Sequence, residues 1–180
     1  RIRYVDSLEL RTAIDIGFLR RYEYNLHSIE LDSSYFNLKA TNKNVRSIWN
    51  EFSNMKRQIS PEIAITTLES KARVLVYTGP KVDHAIETIQ SMQAIWNEKN
   101  NLPTIFKKIT GKENPNQRKN IIRDFTSGLT QSLVAILVLD EGVDLPISDA
   151  AIMCRSNASY RQWIQRRGRV LRKKDPIDAS

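Results

Sequence analysis

"SLVAILVLD" (residues 132–140) is the most apolar run in the chain, and its reading decides the fold. It is short, rich in aliphatic residues and ends abruptly on an acid, as a strand covered on both faces does. "ARVLVYT" (72–78) has the same character, and "TIFKKIT" (104–110) and "SDAAIMC" (148–154) complete a set of four. Between them lie helical patterns, "VDHAIETIQSMQAIWNE" (82–98) and "PNQRKNIIRDFTSG" (115–128), the latter ended by Gly128. Strand–helix alternation with continuously apolar strands predicts an α/β domain: a parallel sheet with helices on both faces. Strand order stays open at this level.

Upstream the pattern differs. Residues 6–17 predict a short helix, capped by Asp6 or Ser7 and stopped by Gly17. "HSIEL" (27–31) alternates as a strand would. From 33 to 57 the apolar positions Tyr35, Leu38, Val45, Ile48, Trp49, Phe52 and Met55 recur near helical spacing, with a break expected around "ATNKN" (40–44). "SPEIAITTLES" (60–70) reads as a separate helix with Ser60 as cap and Pro61 in its first turn. Trp49 and Trp96, on apolar helical faces, are assigned to the core. His27 and His84 lack ligand spacing and are assigned to the surface or to caps, so no metal site is expected. Residues 1–70 thus form a helical extension, and 71–180 the α/β domain.

The chain has 180 residues, enough for one domain with an appendage, and no apolar run of the ~18–20 residues that a membrane span requires. The single cysteine, Cys154, fits a reducing compartment and reads as a small buried apolar residue. The expected location is the cytoplasm, at the nucleoid if the source is bacterial, with no membrane partner. Formal net charge is +8. Between Arg155 and Lys174 there are eight basic residues and no acid, while the rest of the chain is balanced. So local an excess points to a polyanionic partner such as nucleic acid or nucleotide.

In a parallel sheet all strand C-termini share one edge, where ligands bind. The exits here read "TGPK" (78–81), "TGK" (110–112) and "DEGVDLP" (140–146). Each pairs glycine with a hydroxyl, amine or carboxylate, the equipment of a phosphate-facing loop. A complete ATPase would also need the cradle G-x-x-x-x-G-K-[ST]. "GK" occurs once, but the position five before Gly111 is Phe106 and Glu113 follows the lysine. Asp140 and Glu141 imitate the acidic end of a metal–nucleotide strand, yet without a cradle they have no triphosphate to act on.

"YRQWIQRRGRVLRKK" (160–174) continues a helix expected over 159–172. Its polar side carries Gln165, Arg169 and Arg172 at helical spacing, all donors and no acids. Stacking like charges costs a few tenths of a kcal/mol per pair, and the interior Gly168 costs about 1 kcal/mol against alanine. A helix with only a structural role has no reason to carry both costs; one aiming arginines at phosphate oxygens does.

These residues carry a family resemblance. "QRRGRVLR" (165–172) resembles motif VI of superfamily 2 helicases and translocases, "LDEGVDLP" (139–146) their motif V and "VLVYTGPK" (74–81) their motif IV. "TGKENPNQRKNIIRDFTSG" (110–128) is similar to the stretch between, and "SLELRTAIDIGFLRRYEY" (7–24) to the connector after the first motor domain in the DNA-repair-helicase and type III restriction branch. The resemblance implies a C-terminal RecA-like domain, three-layered with a mostly parallel sheet, preceded by a helical extension. It implies ATP and Mg²⁺ held mainly by a first RecA-like domain of the same polypeptide, and DNA as partner, with RNA open. Gln165, Arg169 and Arg172 would face the nucleotide, the arginines as fingers. Glu141, Gly142 and Asp144 would couple nucleotide to track, and Thr78, Gly79, Lys81, Thr110, Gly111, Lys112 and Arg166 would hold the nucleic-acid backbone. Alone, the chain would be inactive in ATP hydrolysis. The other class left open is a non-catalytic RecA-like nucleic-acid-binding module.

Overall fold

The computed structural model describes residues 10–17, 19, 21–28, 42–79, 81–100, 105–136 and 148–154. Within them the elements run α1 (Leu10–Asp15), α2 (Asn42–Ser70), β1 (Val74–Tyr77), α3 (Val82–Lys99), β2 (Phe106–Ile109), α4 (Pro115–Thr126), β3 (Ser132–Ala135) and β4 (Ala150–Met153). The expected helix 159–172, the end of "SLVAILVLD" and the last three residues of "HSIEL" lie outside the described residues; His27 and Ser28 are not in a strand.

The four strands pair in parallel in the order β2-β3-β1-β4. β1 to β2 crosses over β3 in one direction, and β2 to β3 returns in the other. Right-handed crossovers then place α3 and α4 on opposite faces. The two cores confirm the layering. Val74, Val76, Phe106, Val134 and Ile136 pack with Ala64, Ile65, Ala85 and Met92 of α2 and α3. Leu75, Tyr77, Ile109, Leu133 and Ala135 pack with Phe125 of α4, alongside Ile121 and Ile122. Alternate residues of β1 and β3 serve the two cores, which is why these strands read as unbroken apolar runs. Trp96 joins the first core edge-to-face with Phe106, at 6.3 Å between ring centroids.

Each short helix end has a local cause. Gly128, past the end of α4, sits at φ 80°, a conformation that costs any other residue about 1 kcal/mol or more. The start of α4 is a capping box: the Asn114 side chain accepts from the Gln117 N–H at 2.9 Å, and the Gln117 side chain accepts from the Asn114 N–H at 3.0 Å. At the opposite edge, the Asp149 carboxylate accepts from the Arg73 N–H at 3.0 Å and pairs with the Arg73 guanidinium at 3.7 Å. That contact fixes where β4 begins beside β1.

Two expectations are corrected. Residues 42–70 form one helix of 29 residues, so Ser60 is not a cap and Pro61 is internal. A mid-helix proline costs about 3 kcal/mol. Complete burial of Ile65, worth about 1.5–3 kcal/mol by itself, with Ala64 beside it, offsets that cost. The buried Ser60 hydroxyl, which the cap reading turned toward the next turn, instead donates back to the Lys56 carbonyl. Trp49 is the second correction: it is 63% exposed, not core. Helical spacing showed an apolar stripe, but only the C-terminal half of α2 lies on the sheet.

Candidate functional site

Register brings the strand exits into one row. Tyr77 pairs with Ala135 and Met153, and Ala135 with Ile109, so all four strands end level. The ladder carries on one residue further, with Thr78 N–H donating to Ala135 O, Ile136 N–H to Ile109 O and Cys154 N–H to Tyr77 O. Thr78 and Thr110 therefore flank the exit of β3, about 10 Å apart at the usual strand spacing. The chain leaves β3 at Ile136, between them. Glu141, Gly142, Asp144, Gln165, Arg166, Arg169 and Arg172 lie outside the described residues, so this geometry concerns the exits of β1 and β2.

The two threonines do not present the donors expected of them. Thr78 is buried, and both its N–H and its hydroxyl donate to Ala135 O, at 3.0 and 3.4 Å. Thr110 is 2% exposed; its N–H donates to Glu113 Oε2 at 2.7 Å and its hydroxyl to Glu113 Oε1 at 2.8 Å. The same hydroxyl oxygen accepts from the Lys112 N–H at 3.1 Å. Glu113 thus occupies the place of an external anion. The residues left facing outward are Gly79, Lys81, Gly111 and Lys112, the last three exposed. The threonines shape the loops, and the glycines and lysines line their outer side.

Sequence reading missed Glu113, although "TGKE" carries the T-x-x-E spacing of a reciprocal side-chain–backbone bond. It also missed why Gly79 is glycine: a Cβ there would stand 2.6 Å from His84 Nδ1. The half-buried imidazole, in the first turn of α3, packs directly against the β1 exit. At the cap position of α3 stands Lys81, which makes no side-chain cap bond, so an anion meets both an ammonium group and the positive end of a helix dipole there. Cys154 ends β4. Burial pushes its thiol above the usual range, against a smaller opposing effect of the Ser60 hydroxyl beside it. Among the described residues no cluster of His, Cys, Asp or Glu is placed to hold a metal ion, and no helix is long and apolar enough to cross a membrane.

A parallel sheet between two helical layers, with glycine–lysine loops at its strand exits, defines an α/β domain of RecA type. Comparison with known proteins gives the family. The model of the helicase conserved C-terminal domain matches residues 55–174, most of the chain, and the chain belongs to that family. Over 67 residues it is 42% identical to the DNA 3'-5' translocase XPB2 of Sulfurisphaera tokodaii, a match covering 37% of this chain and 15% of the relative. Dicer-like protein 2 of Coccidioides immitis is 38% identical over 65 residues, covering 36% of this chain and 4% of that protein. The chain therefore corresponds to a small part of either relative.

Among solved structures, the DUF1998 helicase MrfA bound to DNA superposes with a TM-score of 0.58 at 19% identity, covering 69% of this chain and 18% of that one. The Mycobacterium smegmatis helicase Lhr, bound to single-stranded DNA and AMP-PNP, gives 0.54 at 20%, covering 75% and 16%. The C-terminal domain of the DEAD-box protein Dbp5 gives 0.52 at 17%, covering 63% and 61%. These likenesses establish the fold, a RecA-like α/β domain.

Proposed function

We propose that this chain is the C-terminal motor domain of an ATP-dependent DNA helicase or double-strand DNA translocase of the DNA-repair branch, acting in the cytoplasm. The observation that carries the reading is the family match over residues 55–174, which spans "VLVYTGPK", "LDEGVDLP" and "QRRGRVLR" in that order. Residues 1–70 are the connector from a first RecA-like domain, with the second half of α2 packed on the sheet. That first domain holds most of ATP and Mg²⁺. The donor set here fits a phosphate rather than a metal: a carboxamide at Gln165 and guanidinium groups at Arg169 and Arg172.

Bound ATP supplies the phosphoryl group whose hydrolysis drives the motor. Arg169 and Arg172 place fixed positive charge beside the oxygens where negative charge accumulates, and Gln165 orients them. Glu141, Gly142 and Asp144, on the segment leaving β3, carry the movement to the strand exits. There the amides of Gly79 and Gly111 and the side chains of Lys81, Lys112 and Arg166 hold the nucleic-acid backbone, with Thr78 and Thr110 setting the loops. The likeness to XPB2 and to MrfA bound to DNA favours DNA over RNA. Without the first domain the chain hydrolyses no ATP.

A titration of labelled duplex against the full-length protein at two salt concentrations tests the track. Lys81→Ala and Lys112→Ala each lower the salt slope by about one, as loss of a phosphate contact does. Unchanged slopes in both variants refute the assignment of these loops.

A further inference from the structure

We propose that the N-terminal half of α2 is a single-stranded nucleic-acid-binding arm, with Trp49 as a base-stacking platform. The inference rests on the functional reading above and extends it beyond the matched family region, which begins only at residue 55.

Placement comes from three contacts. Arg57 pairs with Glu87 at 3.6 Å and Glu69 with Lys99 at 3.3 Å, so α2 and α3 run side by side in the same direction. α3 starts at the exit of β1, and Ser60 of α2 stands beside Cys154, the first residue after β4. The part of α2 before Ser60 therefore projects beyond the strand exits. Trp49, eleven residues earlier, lies about 16 Å further along the helix axis. The arm overhangs the same sheet edge as Gly79 and Lys81.

Its surface has the composition of a single-strand groove. Val45, Trp49, Phe52 and Lys56 fall at i, i+4, i+7 and i+11, one stripe of the helix. Trp49 and Phe52 meet edge-to-face at 6.2 Å, and the Lys56 ammonium sits 4.3 Å from the Phe52 ring centroid. Phe52 is thereby held between its neighbours and braces Trp49, whose indole stays 63% exposed. Arg46, one turn before Trp49, is exposed beside the stripe. Between Lys43 and Arg57 the only acid is Glu51, set well around the helix from Trp49.

An aromatic ring fixed in the open, with the exposed Arg46 one turn before it and the half-buried Lys56 further along the stripe, matches a base stacked over a phosphodiester chain. Four basic residues against one acid between Lys43 and Arg57 favour a polyanion over a protein surface. Double-stranded DNA offers no free base face for Trp49, so the occupant is a single strand, such as one released at a junction.

The test uses the full-length protein with fluorescein-labelled dT20 and the corresponding 20-base-pair duplex. Trp49→Ala weakens dT20 binding about tenfold or more, and Trp49→Phe by no more than about threefold, as loss and retention of a stacking ring require. Duplex affinity changes less than about twofold in both, since backbone contacts dominate there. Arg46→Glu weakens both ligands and flattens the salt dependence. Trp49→Ala binding dT20 like wild type overturns the proposal; if Lys81→Glu still weakens binding, the function stands and only the arm fails. Wild-type protein binding neither ligand overturns both. Unchanged affinity with a smaller particle mass in light scattering overturns it too, assigning the stripe to a second copy.

Discussion

Glu113→Gln tests the loop at the β2 exit most sharply. In the native loop both Glu113 oxygens accept from Thr110, one from its N–H and one from its hydroxyl. Glutamine has one oxygen and one donating nitrogen. Its oxygen can keep the Thr110 N–H, but its NH₂ group then faces a hydroxyl that also accepts from the Lys112 N–H. The hydroxyl proton is left without an acceptor at a residue 2% exposed, where water does not replace one. Stranding a buried donor and losing the charge on its partner costs about 2 kcal/mol. With a urea m-value of about 2 kcal/mol per M for a domain of this size, the unfolding midpoint falls by about 1 M. Thr110→Val removes the hydroxyl without changing shape, so in that background Glu113→Gln costs less by about 1 kcal/mol. Urea unfolding followed by circular dichroism measures all four proteins of the cycle. Equal costs of Glu113→Gln in both backgrounds, or an unmoved midpoint in the single variant, would refute the reasoning.

Other perturbations follow from the same packing. Phe125 is the one fully buried side chain of α4; Phe125→Ala destabilises the fold by about 3–5 kcal/mol in urea titrations, against about 0.5 kcal/mol or less for an exposed site. The Lys107 ammonium, 2.6 Å from Asp124, holds that carboxyl below its ordinary value of 3.8, with Arg123 adding a smaller effect in the same direction. Asp124 therefore stabilises the fold above that value and ceases to as pH falls through its lower native one. Unfolding midpoints of Asp124→Asn depend less on pH below about 4 than those of wild type. Partial burial of Cys154, with its thiol raised above the usual range, predicts slower alkylation by iodoacetamide at pH 8 in native protein than in urea, read by peptide mass spectrometry.

The layered α/β fold was legible because strands buried on both faces need continuous apolar runs, and "VLVY" and "SLVA" have them. Strand order was not: four short apolar strands are interchangeable in local chemistry, and their order depends on which crossover packs where. Pro61 misled because a rule about helix starts was outweighed by burial of Ala64 and Ile65. Trp49 misled because periodicity marks a stripe without saying whether another element covers it. The exits of β1 and β2 do share one sheet edge, as a parallel sheet requires, but which of their donors face outward depended on Glu113 and on the Ala135 carbonyl. Motifs V and VI lie outside the described residues, so the roles of Asp144, Arg169 and their neighbours rest on sequence pattern and family.

Arg169 carries the central claim, that this domain completes an ATPase site formed with another. The decisive measurement is DNA-stimulated ATP hydrolysis by full-length Arg169→Ala, with duplex affinity measured in parallel. The account predicts turnover reduced about 10³-fold or more, as removal of an arginine finger does, with affinity within about twofold of wild type. Near-normal turnover, or DNA affinity lost in step with it, would contradict it.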